Sequence, residues 1–532
     1  MKVGIAQLNP TVGDFRGNYN KIIKAWATAE TQGAELVITS EAVLTGYPMQ
    51  DLALNAAFCL DSMHYFRSLV NYSYGRKSGL IVGFINRQEL SMYGDDSLTY
   101  NSAALIYQGD YQIVNKRELP NYGVFDEKRY FHKGELSRVV NFKGQRIALM
   151  ICEDMWHDEV PNHLMMQDPD MFIAINGSPF ELGKAEKRNE LISDIVTKHL
   201  NNTNREVPFI YVNQVGGQDE IVFDGSSIIA TPGNWHELPS FEELVEVYDL
   251  EIADVIVNTD DDVTLIRKAL VLGLRDYFIK NGFKKAILGV SGGIDSAVVA
   301  AIACEALGPE NVMGYALTSK YNSRESVTLA YELCKNLGMS IEELHITDTF
   351  DYLFKSMPSI DYTGVPSENA QSRIRGLMLM TLSNATGAML LSTGNKSEVS
   401  TGYATLYGDM AGGFNPLKDV YKTQVYQLAN NYGEVIPSRI ITRPATAELA
   451  EGQLDQDKLP PYDELDMLLA SFIEEDKIPT TLEYTSPYAE KVFNMLKIAE
   501  YKRRQSCPGI KITDKHHGLD RRWPITNRWL ND

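Results

Sequence analysis

The sequence predicts an α/β protein built as two successive α/β domains, and three observations carry that expectation. Short apolar runs of strand character alternate with helix-period segments along all 532 residues. No fixed-period repeat accompanies them, so a solenoid or propeller is not indicated. Midway the chain turns acidic, and a second alternation then begins with a strand, a glycine-rich turn and a helix.

The elements follow in order. The first strand is read at the very start, in Lys2-Val3-Gly4-Ile5-Ala6-Gln7-Leu8. Further strands are expected at 35–39, 79–85, 146–151, 171–175 and 209–212. Thr231-Pro232-Gly233 is turn chemistry. Residues 237–262 are strongly acidic and end in Asp260-Asp261-Asp262; they read as the connection between domains rather than a surface loop within one. The expected bounds are 1–245 for the first domain, 246–262 for the connection and 263–532 for the second. Residues 263–280 place Leu265, Ala269 and Leu272 at helical spacing, and Asn281-Gly282 is a fitting C-terminal stop. A buried strand is expected at 285–290 and an apolar helix at 297–307.

Composition excludes several classes. Hydrophobic residues are 44% and charged residues 23%, an ordinary globular balance. The net charge of −20 repels phosphate backbones, so a nucleic-acid binder is not expected, although local basic residues still admit a small anionic ligand. Five scattered cysteines form no CxxC or Cys/His cluster, which fits a reducing compartment without disulfide framework or zinc. No signal-peptide pattern precedes the first strand, and no apolar run approaches the roughly 20 residues of a membrane span. A cytoplasmic protein is the expectation.

In the first half, the apolar strand at 146–151 ends at Cys152. A cysteine at a strand end can present its sulfur above the sheet edge, and a helix starting there would favour thiolate. Alone it reads more readily as a buried structural cysteine. The strand at 35–39 is followed by Glu41, and Asn115-Lys116-Arg117-Glu118-Leu119-Pro120 puts a lysine before a turn. A thiol, a carboxylate and an ammonium at the ends of successive elements suit amide hydrolysis. Glu41 would accept the thiol proton, Cys152 would form a thioester, and Lys116 would stabilise the tetrahedral intermediate.

The surrounding segments strengthen this. Thr45-Gly46-Tyr47-Pro48, Leu119-Pro120-Asn121-Tyr122-Gly123-Val124-Phe125-Asp126-Glu127 and Cys152-Glu153-Asp154-Met155-Trp156 resemble the nitrilase, or carbon–nitrogen hydrolase, superfamily. With Asn176-Gly177-Ser178-Pro179-Phe180 and Tyr211-Val212-Asn213-Gln214-Val215-Gly216-Gly217-Gln218-Asp219-Glu220, they look like the glutaminase domain of glutamine-dependent NAD⁺ synthetases. The resemblance implies an αββα four-layer sandwich, a triad of Glu41, Lys116 and Cys152, and glutamine held by Tyr122, Ser178 and Lys184. Ser40 departs from the family, which more often has proline before the glutamate.

In the second half, Ala286-Ile287-Leu288-Gly289-Val290 leads into Ser291-Gly292-Gly293-Ile294-Asp295-Ser296 and an apolar helix. Glycines let backbone approach phosphate oxygens, and the helix N-terminus and hydroxyls donate to them. There is no Gly-Lys-Ser/Thr of a Walker loop. The loop is similar to that of the N-type ATP pyrophosphatases. Glu368-Asn369-Ala370-Gln371-Ser372-Arg373-Ile374-Arg375, Ser392-Thr393-Gly394-Asn395-Lys396-Ser397-Glu398, Gly402-Tyr403-Ala404-Thr405-Leu406-Tyr407-Gly408-Asp409 and Glu500-Tyr501-Lys502-Arg503-Arg504-Gln505 resemble NAD⁺ synthetase segments.

That resemblance implies a Rossmann-like open parallel sheet. It assigns ATP to Gly289, Ser291, Gly292, Gly293, Asp295, Ser296, Thr393, Lys422 and Thr446, and Mg²⁺ to Asp295 and Glu398. Deamido-NAD⁺ falls to Asn369, Arg375, Glu398 and Lys502. It further implies a homodimer or larger homo-oligomer and an internal ammonia passage. In the tail, His516 and His517 stand where relatives usually have an aromatic residue before the glycine, and as two lone histidines they read as polar surface rather than metal ligands. Two other readings are a free-standing amidase with a nucleotide-binding half and a different ATP-dependent amidotransferase.

Overall fold

The computed structural model describes all residues except 90–96, 232–233, 252–254, 258, 362, 528 and 530–532. The chain divides into two compact units, Met1–Asp260 and Asp261–Asp532.

In the first unit, the central strands, such as Leu36–Ile38, Met171–Asn176 and Phe209–Asn213, are buried on both faces, so each sheet is covered on both sides. One six-stranded sheet runs Leu244–Asp249, Lys2–Gln7, Leu36–Ile38, Gly79–Glu89, Ser97–Tyr107, Asp110–Asn115 in spatial order. The second runs Asn234–Glu237, Ile228–Thr231, Phe209–Asn213, Met171–Asn176, Gln145–Ile151, Val140–Phe142. Side-chain alternation sorts the layers. Val3, Ile5, Ile147, Leu149 and Ile151 enter the core between the sheets. Ala6 and Val37 face the helices Phe15–Thr31 and Ala56–Tyr72, with Trp26 and Phe66. Ala148 and Met150 face the other way, toward helices Glu159–Met165 and Lys184–Thr203. The result is the four-layer αββα sandwich. Gly4 shows how close the layers lie: a Cβ there would sit 2.7 Å from Ala29 Cβ.

The boundary between the units falls within the acidic stretch, between Asp260 and Asp261, but the first part of that stretch is built into the first unit. Leu244–Asp249 is an edge strand paired antiparallel along the whole of Lys2–Gln7, so the expected end of the first domain at 245 falls inside a strand. Apolar residues hidden among the charges explain this. Leu244 and Tyr248 pack on the inter-sheet core, Val245 and Val247 pack on the helix layer, and acidic residues decorate an edge. Ile256 also bridges to His236. The expected turn residues Pro232 and Gly233 lie outside the described residues.

The second unit opens with helix Asp262–Asn281. Asp261, in the aspartate run, is its N-cap and accepts from Thr264 N at 2.9 Å. Gly282 ends it in the left-handed conformation, as the stop signal implies. Four parallel strands follow in the order Ser340–His345, Val312–Thr318, Ala286–Gly289, Met389–Leu390. The chain builds outward from Ala286–Gly289 on one side, then returns to its other side. That reversal creates a switch point, where a crevice opens beyond the C-terminal strand ends. Among the described residues no helix is long and apolar enough to cross a membrane.

Candidate functional site

Three residues far apart in sequence converge in the first unit because each follows the end of a strand. Glu41 comes after Leu36–Ile38, Lys116 after Asp110–Asn115, and Cys152 after Gln145–Ile151. All three are buried. Lys116 Nζ donates to Glu41 Oε1 at 2.6 Å and lies 2.9 Å from Glu127 Oε2. Glu41 also accepts from Asn101 Nδ2 at 2.7 Å and from the Gly177 backbone N–H at 2.8 Å. Tyr47 O–H donates to Glu127 at 2.8 Å.

The charges here act on one another. Burial disfavours the Lys116 ammonium, but Glu127 and Glu41 outweigh it and hold Lys116 well above its usual range. Burial, opposed by Lys116, pushes Glu127 up to about 7. Cys152 has φ 47° and begins a short 3₁₀ turn, Cys152–Trp156. That is no α-helix, so the thiolate-favouring helix end is absent. Burial, then the Glu41 carboxylate, push the thiol well above its usual range, and Lys116 only partly offsets them. Burial thus favours the neutral thiol at Cys152, and Glu41 is the carboxylate whose charge it feels most.

No sequence pattern singles out Glu127 or Asn101. Glu127 closes the Leu119-to-Glu127 segment, and Asn101 is a polar residue before the apolar run Ala103-Ala104-Leu105-Ile106. Asp154 is a third such residue. Its Oδ1 accepts from the N–H groups of Arg117 and Glu118 at 2.9 and 2.8 Å, and its Oδ2 from Ile151 N at 3.1 Å. It thereby ties the loop bearing Lys116 to the turn bearing Cys152. Burial pushes it up to about 6.

Of the expected glutamine contacts, Tyr122 is half exposed and its O–H reaches Glu153 at 2.9 Å. Ser178 is buried beside Gly177, which touches Glu41. Lys184 pairs with Glu181 at 3.2 Å. Ser40 is buried just before Glu41.

The second unit holds a cavity of about 290 Å³ at the switch point. Gly289, Ser291, Gly293, Asp295, Ser296, Thr393, Lys422 and Thr446 all line it, as do Arg375 and Glu398. Gly292 is not among its lining residues but is required behind them: its φ is +76°, and a Cβ would fall 2.2 Å from Ser326 O. Asn369 and Lys502 do not line this cavity either. Asn369 accepts from Thr405 Oγ1 at 2.9 Å, and Lys502 donates to the carbonyls of Gly402 and Ala404 at 2.8 and 2.7 Å. Both residues brace the turn that follows helix Lys396–Thr401.

Asp295 is held by Lys422 Nζ and by Asn395 Nδ2, the latter at 2.8 Å. Burial and the nearby Asp295 charge push Glu398 well above the carboxylate range, against Lys422. Burial brings Arg375 down to about 10, while its fork donates to Leu317 O and Asn322 Oδ1 at 2.9 and 3.1 Å. Among the described residues no group of three or more His, Cys, Asp or Glu forms a metal cage. Two carboxylates facing a phosphate loop instead suit Mg²⁺, which takes one or two carboxylates and completes its shell with water and phosphate oxygens.

His516 and His517 are not surface residues: both are buried. His517 pairs with Ser400 Oγ at 2.8 Å, and burial with Arg503 and Lys396 keeps it well below its usual range. The tail folds inward because Asp419 accepts the Ile512 and Thr513 N–H groups at 2.8 Å each, a long-range anchor that no local pattern signals.

The fold and the two sites define a carbon–nitrogen hydrolase joined to an ATP-using synthase. Residues 2–249 match the family model for carbon–nitrogen hydrolases and 266–506 that for NAD synthase. A glutamine-dependent NAD(+) synthetase of Thermotoga maritima is 38% identical, over 99% of both chains. One from Synechocystis sp. is 40% identical over 98% of both. The solved glutamine-dependent NAD⁺ synthetase of Acinetobacter baumannii, in complex with ADP, is 36% identical, covers 100% of this chain and 99% of its own, and has a TM-score of 0.77. This chain belongs to the glutamine-dependent NAD⁺ synthetase family.

Proposed function

We propose that the chain hydrolyses glutamine in its first unit and, in its second, uses ATP to amidate deamido-NAD⁺ to NAD⁺. The observation that carries this is the convergence of Glu41, Lys116 and Cys152 in one buried cluster, in a chain that also carries an intact phosphate loop.

Glu41 takes the thiol proton as Cys152 Sγ attacks the carboxamide carbon. Lys116 and nearby N–H groups stabilise the oxyanion. The proton passes to the leaving ammonia, and water then releases glutamate from the thioester. Tyr122, Ser178 and Lys184 hold the substrate.

In the second unit, the nicotinate carboxylate attacks the α-phosphorus of ATP, and pyrophosphate leaves. Oxide is a poor leaving group; AMP is a good one, so ammonia attacks the adenylate and AMP departs. Residues 291–296 with Lys422, Thr393 and Thr446 hold the phosphates, and Arg375 faces deamido-NAD⁺. Asn369 and Lys502, beside the turn at Gly402, serve the same substrate. Asp295 and Glu398 would hold Mg²⁺, which supplies positive charge against the departing pyrophosphate. A homo-oligomer, a cytoplasmic location and an internal route for ammonia complete the reading.

The test supplies ATP, Mg²⁺ and deamido-NAD⁺ with either glutamine or ammonium, and follows NAD⁺, AMP and glutamate. Wild type makes NAD⁺ from both sources; Cys152→Ala makes it only from ammonium. No NAD⁺ from ammonium in either protein would refute the synthetase assignment.

A further inference from the structure

The strand Met171–Asn176 delivers the loop Gly177-Ser178-Pro179 to the glutaminase centre. Gly177 donates its N–H to Glu41 Oε2, and a Cβ at Gly177 would lie 2.8 Å from the Tyr47 ring. The loop thus touches the general base on one side and carries Ser178 on the other. Behind it stands Arg188, on helix Lys184–Thr203 and only 1% exposed. Its Nη2 donates to Ser178 O, Ser178 Oγ and Pro179 O, each at 3.1 Å. Its Nη1 donates to Asp224 Oδ2 at 2.6 Å. Asn213 completes the clamp: its Oδ1 accepts from Ser178 N at 2.9 Å, and its Nδ2 donates to Ser178 O at 3.0 Å and to Asp224 Oδ1 at 3.2 Å.

Burying an ion pair costs desolvation, and apolar residues of similar volume often stabilise a core as well or better. Here the guanidinium fork directs three of its contacts to one short loop. A fork with fixed donor directions sets orientation in a way a point charge does not. We propose that Arg188 is a positioning residue for glutamine hydrolysis: it fixes the 177–179 loop so that Ser178 meets the substrate and the Gly177 N–H meets Glu41. The proposal rests on the glutaminase reading of the first unit.

The experiment uses the full chain with glutamine and ammonium as separate nitrogen sources. Arg188→Met should raise the KM for glutamine about tenfold or more, since misplacement of about 1 Å can cost a hundredfold in rate. Synthesis from ammonium should stay as in wild type. Arg188→Lys keeps the charge on Asp224 but offers one donor point, so it should recover only part of the loss. A second readout needs no turnover: iodoacetamide labelling of Cys152, read by peptide mass, is protected by glutamine in wild type, and Arg188→Met should need about tenfold more glutamine for that protection.

Unchanged KM and protection in Arg188→Met overturn the proposal. So does an equal loss with glutamine and ammonium, which marks a purely structural role. Should Arg188→Met fail to fold, Arg188→Lys and Asp224→Asn carry the same test. Ser178→Ala separates the two halves: a normal glutamine KM there, with a raised one in Arg188→Met, overturns the Ser178 half of the proposal and supports the half that acts through Gly177 and Glu41. A wild type that hydrolyses no glutamine refutes the glutaminase reading itself.

Discussion

Both sites of this chain set one lysine against two carboxylates, and they differ in what surrounds those charges. In the first unit, one cation sits between two buried carboxylates, and each charge is met by the protein's own groups. In the second, Asp295 and Glu398 line a cavity and repel each other, with Lys422 as partial relief. The difference follows from the chemistry. On the proposed reading, a covalent nucleophile needs its base and cation in place before a small substrate arrives, and the first centre already holds both within its own hydrogen bonds. The second site, as proposed, opens its charges to a cavity, where a polyphosphate and its cation would complete the partial balance that Lys422 gives Asp295.

The largest expected effect breaks the second site alone. Lys422→Met removes the cavity lysine proposed to face the phosphates and should lower NAD⁺ formation from both nitrogen sources by about a hundredfold or more. Glutamate release should persist, so separate assays of the two products read the division directly. Next, Glu41→Gln removes the proposed base from a thiol that burial already holds protonated. Glutamine hydrolysis should fall by about a hundred- to ten-thousandfold, while synthesis from ammonium continues.

A third prediction concerns pH. Glu127 has its folded value raised to about 7, from 4.5 in the unfolded chain. Between those values the folded state binds more protons than the unfolded one, so stability from this group is present at low pH and is lost as pH rises through about 7. Each pH unit inside that window removes about 1.4 kcal/mol at most, a few kcal/mol in all. In Glu127→Gln this slope should become shallower, with Asp154, pushed up to about 6, keeping its own share, and urea unfolding of the two proteins at pH 5 and pH 8 measures the difference. A wild type that loses no stability across that window would show that Lys116 fully compensates the buried charge.

Smaller again is Asp154→Asn. An amide cannot accept at all three backbone N–H groups, because its nitrogen is itself a donor. The cost should be about 1–3 kcal/mol in unfolding free energy. Glutaminase turnover should fall further than that stability loss explains, since Asp154 spans the Lys116 and Cys152 loops. The smallest effect belongs to the exposed pair of Arg439 and Glu325. Arg439→Ala should change stability by less than about 1 kcal/mol.

Much of this is legible in the sequence. Strand ends name Glu41 and Cys152, and the strand–glycine–helix pattern names the phosphate loop. The aspartate run holds a helix cap, and Asn281-Gly282 stops that helix. These are local signals: propensity, periodicity and turn chemistry act over a few residues. The identity of side chains at strand ends is also local, but it is the resemblance of the surrounding segments that implies a triad of Glu41, Lys116 and Cys152.

Other features depend on partners distant in the chain. Leu244–Asp249 reads as an acidic connection until Lys2–Gln7, from the opposite end of the same unit, supplies its ladder. His516 and His517 read as exposed until Asp419 draws the tail inward. Glu127 becomes part of the centre only through Lys116, and Arg188 becomes a clamp only through Ser178 and Asp224. Sequence by itself determined which groups the chain carries and which local elements present them. Tertiary structure decided which charges are buried together, because desolvation and pairing depend on neighbours that the fold alone brings within a few ångströms.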